Sequence, residues 1–223
     1  MATAKIVQAP EPTLRRLPTY HGILKQFERQ GREVVSCTRI AEALNLDPTQ
    51  VRKDLAVTGI VGKPKVGYVV ADLIEAVEGF FGWRNVTDAF LVGVGSLGTA
   101  LLGYDGFKQY GLNIIAAFDT DPEKIGSKVR GKQVLAPKKL PDLARRMHIH
   151  LGIITVPPDA AQEVADLMVS GGITGIWNFV PVALQVPDDI IVENERLASG
   201  LAVLSRKLAA ALHAAPVEEG AVR

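Results

Sequence analysis

The chain of 223 residues carries 25 Lys and Arg against 24 Asp and Glu, with four His, one Cys, 48% hydrophobic residues and a formal net charge of +1. That excludes a disordered, collagen-like or low-complexity chain, and the length allows one large domain or two small ones with a real core. A single Cys makes no internal disulfide, no uninterrupted apolar run reaches the roughly 18 residues of a membrane span, and residues 1–13 lack a signal-peptide core, so a cytoplasmic protein is expected. The near-neutral total hides an asymmetry. Residues 1–68 hold 11 Lys and Arg against 6 Asp and Glu, giving +5, whereas residues 69–223 hold 14 against 18, giving −4. A basic front on an acidic body directs attention to nucleic acid in the first third, although a solvated surface also produces differences of this size.

In chain order, residues 1–13 are Pro-rich and read as an uncommitted leader. Tyr20, Ile23, Leu24 and Phe27 follow helical spacing, which predicts an amphipathic helix over 17–30 ending before Gly31. After Glu33-Val34-Val35, Ser36 can cap a second helix carrying Ile40, Ala41 and Leu44. Asn45-Leu46 turns the chain, and Asp47-Pro48-Thr49-Gln50 opens a third helix with an acceptor at the cap and Pro in the first turn. Val51 and Leu55 face inward there, with Gln50, Arg52, Lys53 and Ala56 pointing elsewhere. Helix, short turn and polar basic helix form the helix-turn-helix pattern. Residues 60–69 put β-branched runs around a Gly-Lys-Pro-Lys tip and read as a hairpin or wing. A helix over 71–81 ending at Gly82 closes a winged-helix unit.

From Asp88 strands and helices alternate. The apolar run Ala89-Phe90-Leu91-Val92 leads into Gly93-Val94-Gly95-Ser96-Leu97-Gly98, followed by a helix expected from Thr99 to about Lys108 and a strand over 113–118 ending at Asp119. Residues 129–135 have no clear pattern; then come a short helix over 140–146, a strand over 149–156, a helix over 159–169, and strands at 175–177 and 190–192. Such alternation predicts an α/β fold with a doubly wound parallel sheet. A last helix over 196–212 carries Leu197, Leu201, Leu204, Leu208 and Leu212, a stripe that needs cover from its own domain or from a partner subunit.

The glycine motif follows a strand, opens a helix, and is followed 21 residues after Gly98 by Asp119 at the end of the next strand. Gly93 permits the tight turn, Gly95 lets amides approach a pyrophosphate, and Gly98 allows close helix–strand packing. Asp119 is suited to the ribose hydroxyls and repels a 2′-phosphate, which favours NAD(H) over NADP(H). A Rossmann turn without a dinucleotide, or one holding a coenzyme A-type nucleotide, is the alternative. Asp119 and Asp121 lie on a turn and point apart, which suits neither a metal nor acid–base chemistry. His21, His148, His150, His213 and Cys37 show no metal-ligand spacing; His148 and His150 read as edge residues and Cys37 as a buried thiol. Gln50 and Arg52 are candidates for base edges, and Lys53, Lys63 and Lys65 for phosphates, with a solvated basic face as the plainer alternative. The chain also has no substrate domain of the kind a Rossmann dehydrogenase carries, which places an NAD-dependent enzyme behind a regulator.

Over about residues 14–212 the chain resembles the Rex family of redox-sensing transcriptional repressors. The resemblance rests on Gln50-Val51-Arg52-Lys53-Asp54-Leu55, Val66-Gly67-Tyr68, Val92 through Gly98, Tyr104 with Gly106-Phe107, Phe118-Asp119-Thr120-Asp121-Pro122-Glu123-Lys124, Thr155-Val156-Pro157 and Asn178-Phe179-Val180-Pro181. It implies a homodimer with an N-terminal winged-helix domain (1–84), a Rossmann NAD(H)-binding domain (85–194), a C-terminal domain-swapped dimerisation helix (195–215) and a disordered tail (216–223). It also implies operator DNA as partner, released when NADH binds and held with NAD⁺, and no catalysis. Gly93, Gly95, Gly98 and Asp119 then match pyrophosphate and ribose contacts, Tyr104 the tyrosine near the nicotinamide, and Thr155, Val156, Pro157, Asn178 and Phe179 the segments lining the cofactor. The chain departs from the pattern at Gly22 and Arg196, where the best-described members carry an Arg–Asp pair. It departs again at Ala56-Val57-Thr58-Gly59 after the recognition helix and at Lys63-Pro64-Lys65 in the wing.

Overall fold

The computed structural model describes residues 9–214. They form two units: residues 9–86 with Lys108–Gly111, and Thr87–Phe107 with residues 112–214. Residues 1–8 and the expected tail at 216–223 lie outside the described part.

In the first unit, helix α1 (Glu11–Arg29) starts within the expected leader. Pro12 sits in the first turn, where its missing N–H has no intrahelical partner to lose, and Glu11 pairs with Arg15 at 2.8 Å. Strand β1 (Val34–Val35) precedes helix α2 (Cys37–Leu44), whose cap Ser36 accepts from the Arg39 amide at 3.2 Å. Asn45, left-handed at φ 52°, ends α2. Asp47 then caps helix α3 (Pro48–Ala56), its carboxylate accepting from the amides of Thr49 and Gln50 at 2.7 and 3.1 Å. Leu17, Tyr20, Leu24, Ile40, Val51 and Leu55 form a sealed core with Leu73 and Val77 of helix α4 (Val70–Phe81).

The expected hairpin over 60–69 is smaller than its β-branched flanks suggest. Its pairing is a bridge between Lys63 and Gly67 around a tight turn, and Val61 stays exposed. The returning strand β2 (Tyr68–Val69) pairs antiparallel with β1 instead, because Gly67 at φ 98° lays the chain against the Val35 carbonyl. Any Cβ there would overlap that backbone.

The second unit holds strands β3 (Thr87–Val92), β4 (Leu112–Phe118), β5 (Lys128–Val129), β6 (Lys132–Leu135), β7 (Leu151–Ile154), β8 (Gly175–Asn178) and β9 (Ile191–Asn194). Their order is β5-β6-β4-β3-β7-β8-β9, parallel except for β5, which runs antiparallel to β6. Without that edge strand, this is the 3-2-1-4-5-6 order of a dinucleotide-type Rossmann sheet, whose switch point falls between β3 and β7. The sheet is buried on both faces: Phe90, Val92, Phe118 and Ile154 pack on one side, Ala89, Leu91, Ala117 and Ile153 on the other. The unpatterned stretch at 129–135 is the β5–β6 hairpin, turned by Arg130 and Gly131 at φ 51° and 78°.

The helix after the glycine motif also differs from expectation. Helix α5 (Ser96–Leu102) begins at the motif and stops at Gly103; a 3₁₀ segment, Asp105–Tyr110, replaces its expected second half. Helices α6 (Leu140–Met147) and α7 (Ala161–Ser170) follow as predicted within a few residues. His148 ends α6 in the left-handed region at φ 54°, and it and His150 are both exposed just before β7, as edge residues. Helix α8 (Leu197–Ala214) presents Leu201, Leu204, Leu208 and Leu212, each more than half exposed.

Candidate functional site

Where β3 ends, Gly93 adopts φ 100°, and a Cβ on it would come within 2.5 Å of the Thr155 carbonyl oxygen. Gly98 lies so close to the Gly93 carbonyl that a side chain would collide with it. The Thr155 hydroxyl donates to the Gly93 and Val92 carbonyls at 2.7 and 3.1 Å, which ties the end of β7 to the glycine turn. The sheet thus forces Gly at 93 and 98, while Gly95 faces open space. A cleft of about 330 Å³ opens here, lined by Gly93, Gly95, Asp119, Thr155, Val156 and Pro157 among others. Gly95, at the cap of α5, borders it, and no side chain makes a capping hydrogen bond to that helix.

Asp119 closes one side of the cleft. Its Oδ2 accepts from the Val94 amide at 2.7 Å and its Oδ1 from the Asp121 amide at 2.9 Å, with Lys124 Nζ at 3.4 Å. Burial pushes the carboxyl up, and the Asp121 and Val94 amides together with Lys124 outweigh it, holding the group below the usual carboxylate range. The site therefore presents a fixed negative charge with free lone pairs, suited to accept from a diol and to repel a phosphate. Val94 serves through its amide; its side chain is core, whereas Ser96 and Leu97 are exposed on the first turn of α5.

The other cofactor candidates lie apart from this cleft. Tyr104 is 56% exposed and packs edge-on against Phe107 at 4.9 Å; Phe107 meets Trp177 at 5.6 Å, and Trp177 meets Phe179 at 4.8 Å. An aromatic row thus joins Tyr104 to Phe179. Phe179 lines a second, mostly apolar cavity of about 560 Å³ with Val180, Pro181 and Arg196 at the root of α8. Asn178 is fully buried and its side chain is spent on the loop: the carboxamide donates to the carbonyls of Val180 and Val182 and to Asn194, and accepts from the Val180 amide.

On the first unit, Arg52 and Lys53 are exposed on α3, and Lys63 and Lys65 are exposed at the wing. Gln50 is different: its Nε2 donates to Asp54 at 2.9 Å. Asp54, 1% exposed, also receives Arg16 through two nitrogens at 2.6 and 2.8 Å, the Tyr20 hydroxyl at 2.7 Å and the Thr13 hydroxyl at 2.9 Å. Burial pushes Asp54 up, but these donors, Arg16 first, prevail and hold it at about 2. Burial and the same carboxylate raise Tyr20 to about 12. This hub fastens α3 to α1 and was missed in the sequence. Its signal was an acid at the inward spacing between Val51 and Leu55; its partners sit 34 to 41 residues away. Cys37 is buried as expected, and its thiol lies against the Tyr68 hydroxyl.

Among the described residues no group of three or more His, Cys, Asp or Glu is placed to hold a metal, and no helix is long and apolar enough to cross a membrane.

A winged helix carrying an exposed basic helix, together with a Rossmann sheet open at its switch point, defines a nucleotide-dependent DNA-binding regulator. A family model described as a CoA binding domain matches residues 84–182, and a model of a DNA-binding protein N-terminus matches residues 8–56. The "Redox-sensing transcriptional repressor Rex" of Treponema denticola is 48% identical over 204 residues, spanning 92% of this chain and 96% of that protein. The protein of the same name from Bacteroides thetaiotaomicron is 43% identical over 201 residues, 90% and 91% of the two chains. The solved structure of RSP, a Rex-family repressor, in complex with β-NAD⁺ and operator DNA matches with a TM-score of 0.85 at 33% identity, covering 92% of this chain and 94% of that one. Its complex with β-NADH matches with a TM-score of 0.83 at 32% identity, covering 91% and 95%. The chain belongs to the Rex family of redox-sensing transcriptional repressors.

Proposed function

We propose that this protein is a homodimeric, cytoplasmic repressor that binds operator DNA through α3 and the wing, and that NADH releases it while NAD⁺ permits binding. The observation that carries this reading is the cleft at the switch point, where Gly93 and Gly98 are forced by packing, Gly95 is open and Asp119 is held as an anion. Those features fit a dinucleotide: open backbone for the pyrophosphate, and a carboxylate for the ribose diol. Gly93, Val94, Gly95, Ser96, Leu97 and Gly98 would cradle the phosphates. Thr155, Val156 and Pro157 form the facing wall.

The sensing step needs a difference in affinity between two states. The row from Tyr104 to Phe179 is apolar, so an uncharged dihydronicotinamide is accommodated more readily than a cationic one, whose burial without a partner is costly. The ligand is read and not transformed, as the relatives' description as redox-sensing transcriptional repressors supports. Helix α8 supplies the dimer contact, its leucines covered by a second copy of the chain.

The deciding experiment is a fluorescence-anisotropy titration of palindromic operator DNA at fixed salt with NADH, NAD⁺ or neither. Loss of affinity with NADH alone supports the reading; equal affinity in all three rejects it. A second reading, a coenzyme A-type nucleotide in the same cleft, is favoured by the CoA binding domain match over 84–182. Coenzyme A and acetyl-coenzyme A as further additions distinguish the two. Asp119→Ala is expected to weaken NADH at least tenfold and leave ligand-free operator binding unchanged.

A further inference from the structure

The chain crosses between the two units three times, and the second crossing is unusual. It leaves the second unit after Phe107, contributes Lys108–Gly111 to the first, and returns at Leu112. The 3₁₀ segment Asp105–Tyr110 spans that exchange, so one short element packs its two ends in different units.

At its front, Phe107 belongs to the aromatic row, packed on Tyr104 and Trp177. At its far end, Tyr110 packs edge-on against Trp83 at 4.8 Å and lies tilted beside His21 at 6.2 Å. Trp83 stacks flat on Phe81 at 4.6 Å and meets His21 edge-on at 5.2 Å. His21, on α1 and 1% exposed, bonds Glu78 of α4 through Nε2 at 3.0 Å, while its Nδ1 meets no protein partner. The socket that receives Tyr110 is thus built from α1, α4 and the turn after α4. Gly111 fixes the exit: at φ 70° it lies so close to the Trp83 and Asn85 carbonyls that a Cβ would come within 2.6 Å of each.

We propose that residues 105–111 are the link by which ligand occupancy changes operator affinity, with Tyr110 as its positioning residue. This rests on the NADH reading above. Phe107 and Tyr110 are only three positions apart, so a displacement of one ring reaches the other through at most about 10 Å of chain. Its front end is packed in the row that a nicotinamide would meet, and its rear end is held on the first unit by the rings of Trp83 and His21 and a pinned glycine. A rearrangement of Tyr104 and Phe107 around the ligand therefore draws on Tyr110 and on α1, the helix that the Asp54 hub fastens to α3. Coupling of this kind requires the packed rings to take a second arrangement when ligand binds, which the variants below are chosen to block.

The test uses the full-length protein, with operator affinity by anisotropy and NADH affinity by calorimetry measured separately. Tyr110→Ala should keep NADH affinity and ligand-free operator affinity within about threefold of wild type, yet lose at least nine-tenths of the NADH-induced fold-change in operator affinity. Tyr110→Phe should retain the wild-type response. Insertion of Gly-Gly after Lys108, which slackens the segment and keeps both ring clusters, should uncouple as Tyr110→Ala does and serves if that variant fails to fold. A full NADH response in Tyr110→Ala or in the insertion variant overturns the proposal, and so does loss of NADH or operator affinity itself, which marks Tyr110 as merely structural. A wild-type protein indifferent to NADH rejects the sensing function instead, and is recognised in the wild-type arm alone.

Discussion

Asp54 illustrates how much one residue can organise here. Its carboxylate is buried yet charged because Arg16, Tyr20, Thr13 and Gln50 all donate to it. Asp54→Ala leaves Arg16 facing the cavity without its carboxylate and should cost about 3 kcal/mol in chemical denaturation. The same group gives a pH signature. Its folded value, about 2, lies below the unfolded 3.8, so its stabilisation is present above pH 4 and is lost as pH falls through 2. That amounts to about 2 kcal/mol, and acid unfolding of wild type should lose this contribution in a window where Asp54→Asn shows no corresponding change. Gly93→Ala acts in the second unit: φ 100° and the Thr155 carbonyl reject a Cβ, so a loss of about 1–3 kcal/mol and at least tenfold weaker NADH binding are expected, read by thermal melting and calorimetry.

In the function proposed above, single elements carry the contacts to partners. In α3 the exposed Arg52 and Lys53, with Lys63 and Lys65 at the wing, are free to meet phosphates and base edges, whereas Gln50 is turned back onto Asp54. Removing a phosphate-contacting Lys should lower the log–log salt slope of operator binding by about 1, whereas Gln50→Ala should leave the slope unchanged. Anisotropy titrations across a salt series separate the two. In α8 the exposed leucines demand cover. Leu204→Glu with Leu208→Glu should convert dimers to monomers in sedimentation velocity without unfolding either unit.

At the scale of the whole molecule, sensing is a linkage between two binding events. A tenfold preference of NADH for the DNA-released form supplies about 1.4 kcal/mol per site, and two sites acting together shift operator affinity about a hundredfold. Reciprocity then requires saturating operator DNA to weaken NADH by the same coupling energy, which calorimetry of the complex checks directly.

Local patterns in the sequence were enough for the helix-turn-helix, with Ser36 and Asp47 as caps, and for the glycine turn leading to Asp119. Caps, turns and strand-end acids act within a few residues of themselves, so their chemistry is written in adjacent letters. The sequence also determined that the chain divides into a basic front and an acidic sheet domain. What only the tertiary structure decided depends on residues distant in the chain. The returning wing strand pairs with β1 across 33 to 35 residues. Gln50 turns back onto Asp54, the carboxylate that Thr13, Arg16 and Tyr20 also reach from α1. Residues 108–111 pack in the first unit although their letters sit in the second, because the socket of His21, Phe81 and Trp83 is assembled by folding alone. Ring packing and buried hydrogen bonds have no period along a chain, and so they become visible only once the chain is folded.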